Sequence, residues 1–172
     1  MHDHAGFTLL ELLVTMSILA ILMAVAVPSF TRFIVNSQLR STVSTLQTDV
    51  MNARAEAIKL AKPVVVRPLV SATGWASGWT AVVLDTAGNN DVLTLVTRDS
   101  ISNDLVIGKK TISGTITYDS AGFSRDTAGS FIAGCIRFDA ATTSRVSALY
   151  VDAAGRPRTC SVPMAGNTNC CP

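Results

Sequence analysis

The chain begins with a long apolar stretch whose length matches a membrane. Between Phe7 and Val27, Glu11 is the one charged residue. A helix rises about 1.5 Å per residue, so this stretch spans about 30 Å, the thickness of a bilayer core. We therefore predict a transmembrane helix over residues 7–27. Pro28 follows, and two interpretations stay open: the proline kinks a continuing helix, or the helix ends at Val27.

Beyond Pro28 the apolar positions recur at alternating steps of four and three, which places them on one face of a helix. The pattern stops at Lys62–Pro63, because proline disfavours helix in the residue before it. We predict an amphipathic stalk helix over residues 28–61, with one apolar stripe to bury against a globular head. The stripe consists of Leu39, Val43, Leu46, Val50, Ala53, Ala57 and Leu60.

The remainder, residues 62–172, has the short apolar runs of β-strands, separated by Gly, Asn, Asp and Ser. This pattern predicts a head of mostly antiparallel strands packed on the stalk stripe, and the fold class is α+β. The predicted strands are Pro63–Leu69, Thr80–Asp85, Val92–Thr97, Leu105–Ile107, Thr115–Tyr118, Phe131–Phe138, Val146–Val151 and Pro157–Val162.

The small residues Ala5 and Gly6 precede the apolar run, whereas a secretory signal has its cleavage site after that run. A cut at Gly6 would leave the apolar segment on the mature protein. Residues 6–11, Gly-Phe-Thr-Leu-Leu-Glu, resemble the class III signal of type IV prepilins. The resemblance implies that residues 1–6 are a leader, that prepilin peptidase cuts between Gly6 and Phe7, and that Phe7 becomes N-methylated. It also implies that Glu11 acts in assembly.

Three further segments resemble the GspH/FimT group of minor pilins and pseudopilins: residues 52–64, Gly78-Trp79 and Gly155-Arg156-Pro157-Arg158. The resemblance implies the type IV pilin fold, in which a long N-terminal helix, half transmembrane and half amphipathic, packs on an antiparallel β-sheet head. It implies a single-pass protein of the bacterial inner membrane with a periplasmic head, which later enters a pilus or pseudopilus. The implied partners are prepilin peptidase and other pilins or pseudopilins, bound through the N-terminal helix.

That family resemblance implies one of two structural roles. The first is a minor type IV pilin that helps to initiate or cap the filament, with consequences for motility, adhesion or DNA uptake. The alternative is a GspH-like minor pseudopilin of a type II secretion system. An enzyme is disfavoured, because the sequence has no glycine-rich phosphate loop, no nucleophile elbow and no histidine beyond residue 4. We expect no catalytic residues, no metal and no cofactor.

DNA is a candidate partner. The net charge of +2 is too small to indicate nucleic acid by itself. However, Gly155-Arg156-Pro157-Arg158 matches a Gly-Arg-x-Arg pattern associated with DNA-binding FimT-like pilins. Arginines two residues apart on one extended strand point the same way and would meet one phosphate backbone. Lys109, Lys110 and Arg145 are candidates to extend this patch. The alternative is a glycine turn before an edge strand, where basic side chains discourage unwanted pairing.

Four cysteines, Cys135, Cys160, Cys170 and Cys171, are disulfide candidates, and such bonds form in an oxidising compartment. Three full connectivities are open. If the last three strands form a meander, its outer strands lie about 10 Å apart. A disulfide needs Cα atoms within about 7 Å, which disfavours direct Cys135–Cys160 pairing. We predict at least one disulfide that attaches the C-terminal tail, with a reduced, buried Cys135 as the alternative.

Two remaining features favour structural roles over binding. Trp75 and Trp79 are expected to be buried, and the alternative is that they stack on bases, because aromatic stacking tolerates any base sequence. The loop Asp85–Asp91 carries several oxygen ligands but lacks the spaced acids and distal glutamate of an EF-hand. We therefore predict a plain hairpin there and not a calcium site.

Overall fold

The computed structural model describes residues 8–102, 105–110, 112, 114–126, 129–140, 143 and 145–163, and the chain divides into two compact units at Ile34–Val35. Helix α1 (Leu9–Leu60) extends through both units. In the first unit, the described side chains are exposed, and an 18-residue window of mean hydropathy 2.5 has no buried residue. By length and composition, this helix can cross a membrane.

Pro28 lies inside α1, so the interpretation that ends the helix at Val27 is wrong. The next turn includes Thr31, whose Oγ1 donates to the Val27 carbonyl at 3.1 Å. The helix therefore continues across the proline, with a side-chain hydrogen bond to a backbone carbonyl in the same region. A kink at Pro28 stays a prediction.

The second unit contains two antiparallel sheets in its described part. Their strand orders are β3-β2-β1-β5-β6 and β4-β7-β8-β9, and β7, β8 and β9 form the predicted meander. The expected head of antiparallel strands is confirmed, but it consists of two sheets. The strands are β1 (Val64–Val70), β2 (Gly74–Leu84), β3 (Asp91–Arg98), β4 (Leu105–Lys110), β5 (Ile116–Tyr118), β6 (Ser124–Arg125), β7 (Gly134–Ala140), β8 (Arg145–Val151) and β9 (Pro157–Pro163).

Glycines inside strands caused the largest errors in strand bounds. Strand β2 begins at Gly74, well before the predicted Thr80, and it continues through Gly78. Gly78 has φ +88°, and a Cβ there would lie 2.1 Å from the Arg98 carbonyl oxygen. This glycine permits a close approach to the end of β3, whereas its sequence context favoured a break. The short strand β6 was not predicted.

The predicted stripe of α1 forms the centre of the head's core. Its residues are buried from Leu39 to Ala57, and Val35 joins them at the start of the unit. They pack with apolar residues of both sheets, so the two sheets share one core with the helix. Leu60 is a correction: it is 38% exposed, because it is the final residue of α1. The sheet residues in this core include Val64, Val66, Ala81, Val83, Ile116, Ile136, Phe138, Leu149 and Val151.

Candidate functional site

Glu11 belongs to a capping box at the start of α1. Glu11 Oε2 accepts hydrogen bonds from the backbone N and from Oγ1 of Thr8, both at 2.9 Å. The Glu11 backbone N in turn donates to Thr8 Oγ1 at 3.2 Å. This reciprocal arrangement satisfies backbone donors that a helix start leaves unpaired. The role of Thr8 was not predicted, although a threonine three residues before a glutamate is the sequence signal for this motif. Gly6 and Phe7 lie outside the described residues.

Arg54 of α1 joins two loops at one corner of the head. Its Nε donates to the Gly122 carbonyl at 2.9 Å, and its Nη2 donates to the Ala154 carbonyl at 3.0 Å. Gly122 lies between β5 and β6, and Ala154 lies between β8 and β9. One guanidinium therefore holds the turns of both sheets against the helix.

The same two loops also touch each other directly. Gly155 has φ +78°, and a Cβ there would lie 2.2 Å from the Gly122 carbonyl oxygen. Tyr118 Oη donates to the Gly155 carbonyl at 3.1 Å. Burial raises the pKa of Tyr118, so its phenol stays protonated as a donor. The corner is therefore a closely packed structure with fixed hydrogen bonds.

Arg156 lies in the turn before β9 and is bound to Asp152. Its backbone N donates to Asp152 Oδ1 at 2.8 Å, and its Nε donates to Oδ2 at 2.9 Å. Partial burial raises the pKa of the Asp152 carboxyl, but the hydrogen bonds from Arg156 outweigh this effect and hold the pKa below its ordinary value. At neutral pH the carboxylate therefore offsets one arginine charge.

The expectation that Arg156 and Arg158 occupy one extended strand is wrong. Strand β9 begins at Pro157, so the alternation of strand side chains does not apply to Arg156. Arg158 lies within β9 opposite Tyr150, and its side chain is exposed. The two arginines remain neighbours at this corner, but the turn determines the direction of Arg156.

The other basic candidates do not join this corner. Strand β4, which contains Lys109 and Lys110, is at the opposite edge of its sheet from β9, about 14 Å away by strand spacing. Arg145 pairs with Pro163 at the far end of β8, about 17 Å along the strand from Tyr150. These three residues are therefore not neighbours of Arg156 and Arg158, and their extension of the patch stays a prediction.

Two exposed phenylalanines lie beside the corner. The rings of Phe123 and Phe131 meet edge to face, with centroids 5.4 Å apart and planes at 81°. Arg125 places its Cζ 3.7 Å from the Phe131 centroid, and its Nε donates to Asp119 Oδ2 at 2.8 Å. This cluster was not predicted, because Phe131 was assigned to a strand and Phe123 lay outside the predicted strands. In the structure, Phe131 forms only an isolated bridge with Arg125.

The two cysteines of the described head are disulfide-bonded, so the interpretation of Cys135 as a reduced core residue is wrong. In the sheet, Cys135 of β7 lies opposite Tyr150 of β8, and Cys160 of β9 lies opposite Ala148 of β8. Strand β8 therefore separates the two cysteines. Two strand spacings are about 10 Å, which exceeds the reach of a direct disulfide. Cys170 and Cys171 lie outside the described residues, and attachment of the tail through them stays a prediction.

Trp75 and Trp79 are buried, so neither is available to stack on bases. Trp79 Nε1 donates to Asp49 Oδ2 at 2.9 Å. Asp49 also accepts two hydrogen bonds from Arg98, from Nε at 3.0 Å and from Nη2 at 3.1 Å. This buried carboxylate therefore ties α1 to β2 and to the end of β3.

The loop between β2 and β3 is the predicted hairpin. Asp85 accepts hydrogen bonds from the Asn89 backbone at 2.8 Å and from Asn90 Nδ2 at 2.7 Å. These bonds, led by the one from the Asn89 backbone, hold the pKa of the Asp85 carboxyl below its ordinary value. Asp91 forms an ion pair with Arg67. Within the described ranges, no group of three or more His, Cys, Asp or Glu residues is arranged to hold a metal.

Comparison with protein families gives two matches along this chain. A family model described as the prokaryotic N-terminal methylation motif matches residues 1–27. A second model, described as type II transport protein GspH, matches residues 42–155, which are most of the head and part of α1. No curated protein matches the chain.

Two solved structures share the fold, and both are crystal forms of the type IV minor pilin FimU of Pseudomonas aeruginosa. The first has 17% sequence identity and a TM-score of 0.59, and the match covers 80% of this chain and 97% of that chain. The second has 18% identity and a TM-score of 0.57, with 78% and 100% covered. The long helix packed on antiparallel strands is therefore the type IV pilin fold.

Proposed function

This chain belongs to the family of type II transport protein GspH, and we propose that it is a minor type IV pilin that helps to initiate or cap a pilus. The carrying observation is the combination of an exposed apolar N-terminal unit, a methylation motif at its start and a folded head on the same helix. This combination supports a subunit that is anchored in a membrane and then assembles with other pilins. A structural role follows, and no catalytic step is required.

The processing proposal places the prepilin peptidase cut between Gly6 and Phe7, with methylation of Phe7 and with Glu11 as an assembly contact. The capping box supports a defined position for Glu11, one turn into the helix and close to the new N-terminus. An acid in an apolar environment costs several kcal/mol unless it is paired. Attraction between Glu11 and the amine of a neighbouring subunit would offset this cost and set the stagger between subunits.

The head is proposed to lie in the periplasm before assembly. Disulfides persist in oxidising compartments, and both described cysteines are disulfide-bonded. The second candidate function is a GspH-like minor pseudopilin of a type II secretion system, and the description of the matching family favours it. The Gly-Arg-Pro-Arg segment at residues 155–158 favours the pilin instead. Both functions use the same fold and the same N-terminal helix.

Intact-mass measurement of the chain in surface fibres and in membranes tests this proposal. We expect the fibre fraction to contain a chain that begins at a methylated Phe7, because only the cut at Gly6 leaves the apolar helix on the mature subunit. A Gly6→Val variant is expected to keep its leader, with or without Met1, and to remain in the membrane. Glycine at this position is required by the motif, and valine adds a branched side chain at the cut.

The same fractions separate the two functions. Recovery in surface fibres, with loss of fibres when the gene is deleted, supports the pilin. Absence from fibres, with loss of protein secretion in the deletion strain, supports the pseudopilin. A soluble chain cut after Val27, or one that never enters membranes or fibres, contradicts both.

DNA contact at the Arg156–Arg158 corner is a further part of the proposal for the pilin. Replacing both arginines with alanine is expected to weaken duplex DNA binding by the full chain in detergent micelles by about tenfold at low salt. The slope of log affinity against log salt should fall by about 2, because each lost phosphate contact contributes about 0.9. An Asp152→Asn variant should bind more tightly, since it removes the charge that offsets Arg156.

A gel-retardation titration at several salt concentrations measures these effects. The matched control is the double replacement of Arg40 and Arg145 with alanine, which removes the same charge at exposed positions. Arg40 lies about 21 Å before Arg54 along α1, and Arg145 lies at the far end of β8. Equal losses in both double variants would mean that only net charge matters. Unchanged retardation of the corner variant at low salt rejects DNA contact there.

A further inference from the structure

An exposed apolar strip follows α1 beside the corner built by Arg54. Its residues on the helix, Met51, Ala55 and Ile58, are separated by steps of four and three. This is the spacing of the buried stripe, so they form a second apolar ridge on the same helix. Met51 is 53% exposed and Ile58 is 51% exposed, so two large apolar side chains of this strip face solvent. The ridge borders a groove of about 310 Å³ that is lined by Met51, Arg54, Ala55, Ile58, Arg156 and Pro157.

The aromatic cluster continues this ridge onto the sheet side. Gly122 packs so closely on Ile58 that a Cβ on the glycine would lie 2.7 Å from Ile58 Cδ1. The next residue is Phe123, which is 39% exposed and meets Phe131, which is 57% exposed. We call Met51, Ala55, Ile58, Phe123 and Phe131 the ridge surface. The ridge surface crosses from the helix to the β5–β6 turn at Gly122. Because glycine has no side chain, no charged group interrupts the surface there.

Arginines border the ridge surface and outnumber the acids beside them. Arg125 and Arg156 form ion pairs with Asp119 and Asp152. Arg54 directs its hydrogen bonds to two backbone carbonyls, and Arg158 is exposed on β9. The border is therefore net positive. Aromatic residues, methionine and arginine are the residue types enriched in protein interfaces, with apolar residues at the centre and polar ones at the rim.

We propose that the ridge surface binds the head of a neighbouring subunit of the same filament, through an apolar segment of that subunit bordered by Asp or Glu. This inference rests on the proposed function, in which the chain assembles with other pilins. Charge complementarity selects an acidic border on the partner. The corner is fixed beforehand by Arg54 and by the contact between Gly122 and Gly155, so binding needs little ordering of these loops.

Binding measurements between purified full chains in detergent micelles test this inference. The probes are the other pilin subunits encoded by the same organism, each titrated by thermophoresis. Ile58→Glu and Phe131→Glu are each expected to weaken the affinity for one of these subunits by at least about tenfold, the loss typical of an interface anchor. Both changes place a carboxylate where an acidic partner border would repel it. Raising the salt concentration should weaken binding of the unmodified chain, because exposed charges are screened.

Val92→Glu is the matched control, because Val92 is 55% exposed on edge strand β3, at the opposite edge of the five-stranded sheet from β6. This variant should bind like the unmodified chain. Tryptophan fluorescence confirms that each variant is folded, and Ile58→Ser replaces Ile58→Glu if the latter is not. Absence of binding by every encoded subunit, or equal affinity of the ridge and control variants, overturns the inference. If the chain still enters fibres, those binding results overturn only the inference about the ridge surface. Absence of the chain from fibres refutes the proposed function.

Discussion

Replacing Asp49 with alanine is expected to lower the free energy of unfolding of the head by about 3 kcal/mol. The Asp49 side chain is 3% exposed, and it accepts hydrogen bonds from Trp79 Nε1 and from two nitrogens of Arg98. Alanine would leave the indole N–H buried without its acceptor. Arg98 is 46% exposed, so water recovers part of its loss and the expected effect lies at the lower end for a broken buried pair.

Asp91→Ala is the matched control for that experiment. Asp91 also pairs with an arginine, Arg67, but both side chains are about as exposed as surface residues, at 44% and 40%. Exposed ion pairs contribute about 0–1 kcal/mol, so this variant should lose less than about 1 kcal/mol. Urea unfolding followed by tryptophan fluorescence measures both, because Trp75 and Trp79 are buried in the folded head. Equal losses would show that burial of Asp49 is not the source of its effect.

Replacing Gly155 with alanine is expected to cost about 3 kcal/mol or more, because two separate penalties act at this position. The backbone has φ +78°, which residues with a Cβ rarely adopt. The new Cβ would also lie 2.2 Å from the Gly122 carbonyl oxygen and 2.9 Å from Cε1 of Tyr118. That carbonyl already accepts a hydrogen bond from Arg54, so a shift of the loop would break the contact that joins it to α1.

Gly88→Ala separates the two penalties. Gly88 has nearly the same backbone angle, φ +75°, but a Cβ there meets no atom within 4 Å. Its loss should therefore be about 1–2 kcal/mol, the cost of the left-handed conformation alone. The difference in urea midpoint between the two variants reports the steric clash at Gly155. If both variants lose the same stability, the two loops do not pack as closely as the structure shows.

Local periodicity explains why much of the fold could be predicted. The buried stripe from Leu39 to Ala57 follows from a spacing that only one face of a helix satisfies. The end of α1 follows from Pro63, and most strands follow from short apolar runs between turn residues. The predicted start of β2 was wrong because Gly78 makes a contact with a residue distant in sequence. Gly78 lies close to the Arg98 carbonyl within a continuing strand, and the residues next to Gly78 do not reveal this contact.

The candidate sites were predicted less well, for a related reason. Lys109, Lys110 and Arg145 were grouped with Arg156 and Arg158 because of their charge, but sheet order and register separate them. The charge of a residue follows from its type, whereas a charged patch depends on which residues the strand order and register bring together. Phe123 and Phe131 were not recognised as a pair, since the isolated bridge between Arg125 and Phe131 that brings their segments together is too short to give a periodic signal.

The sequence by itself determined the apolar N-terminal segment, the residues that begin it and the stripe that the head covers, because each depends on residues within a few positions of one another. Only the tertiary structure decided which groups form the corner. Arg54 contacts Ala154, 100 residues away, and Gly155 packs on Gly122 from another sheet. Such contacts depend on how two sheets meet one helix, and local sequence patterns do not encode that arrangement.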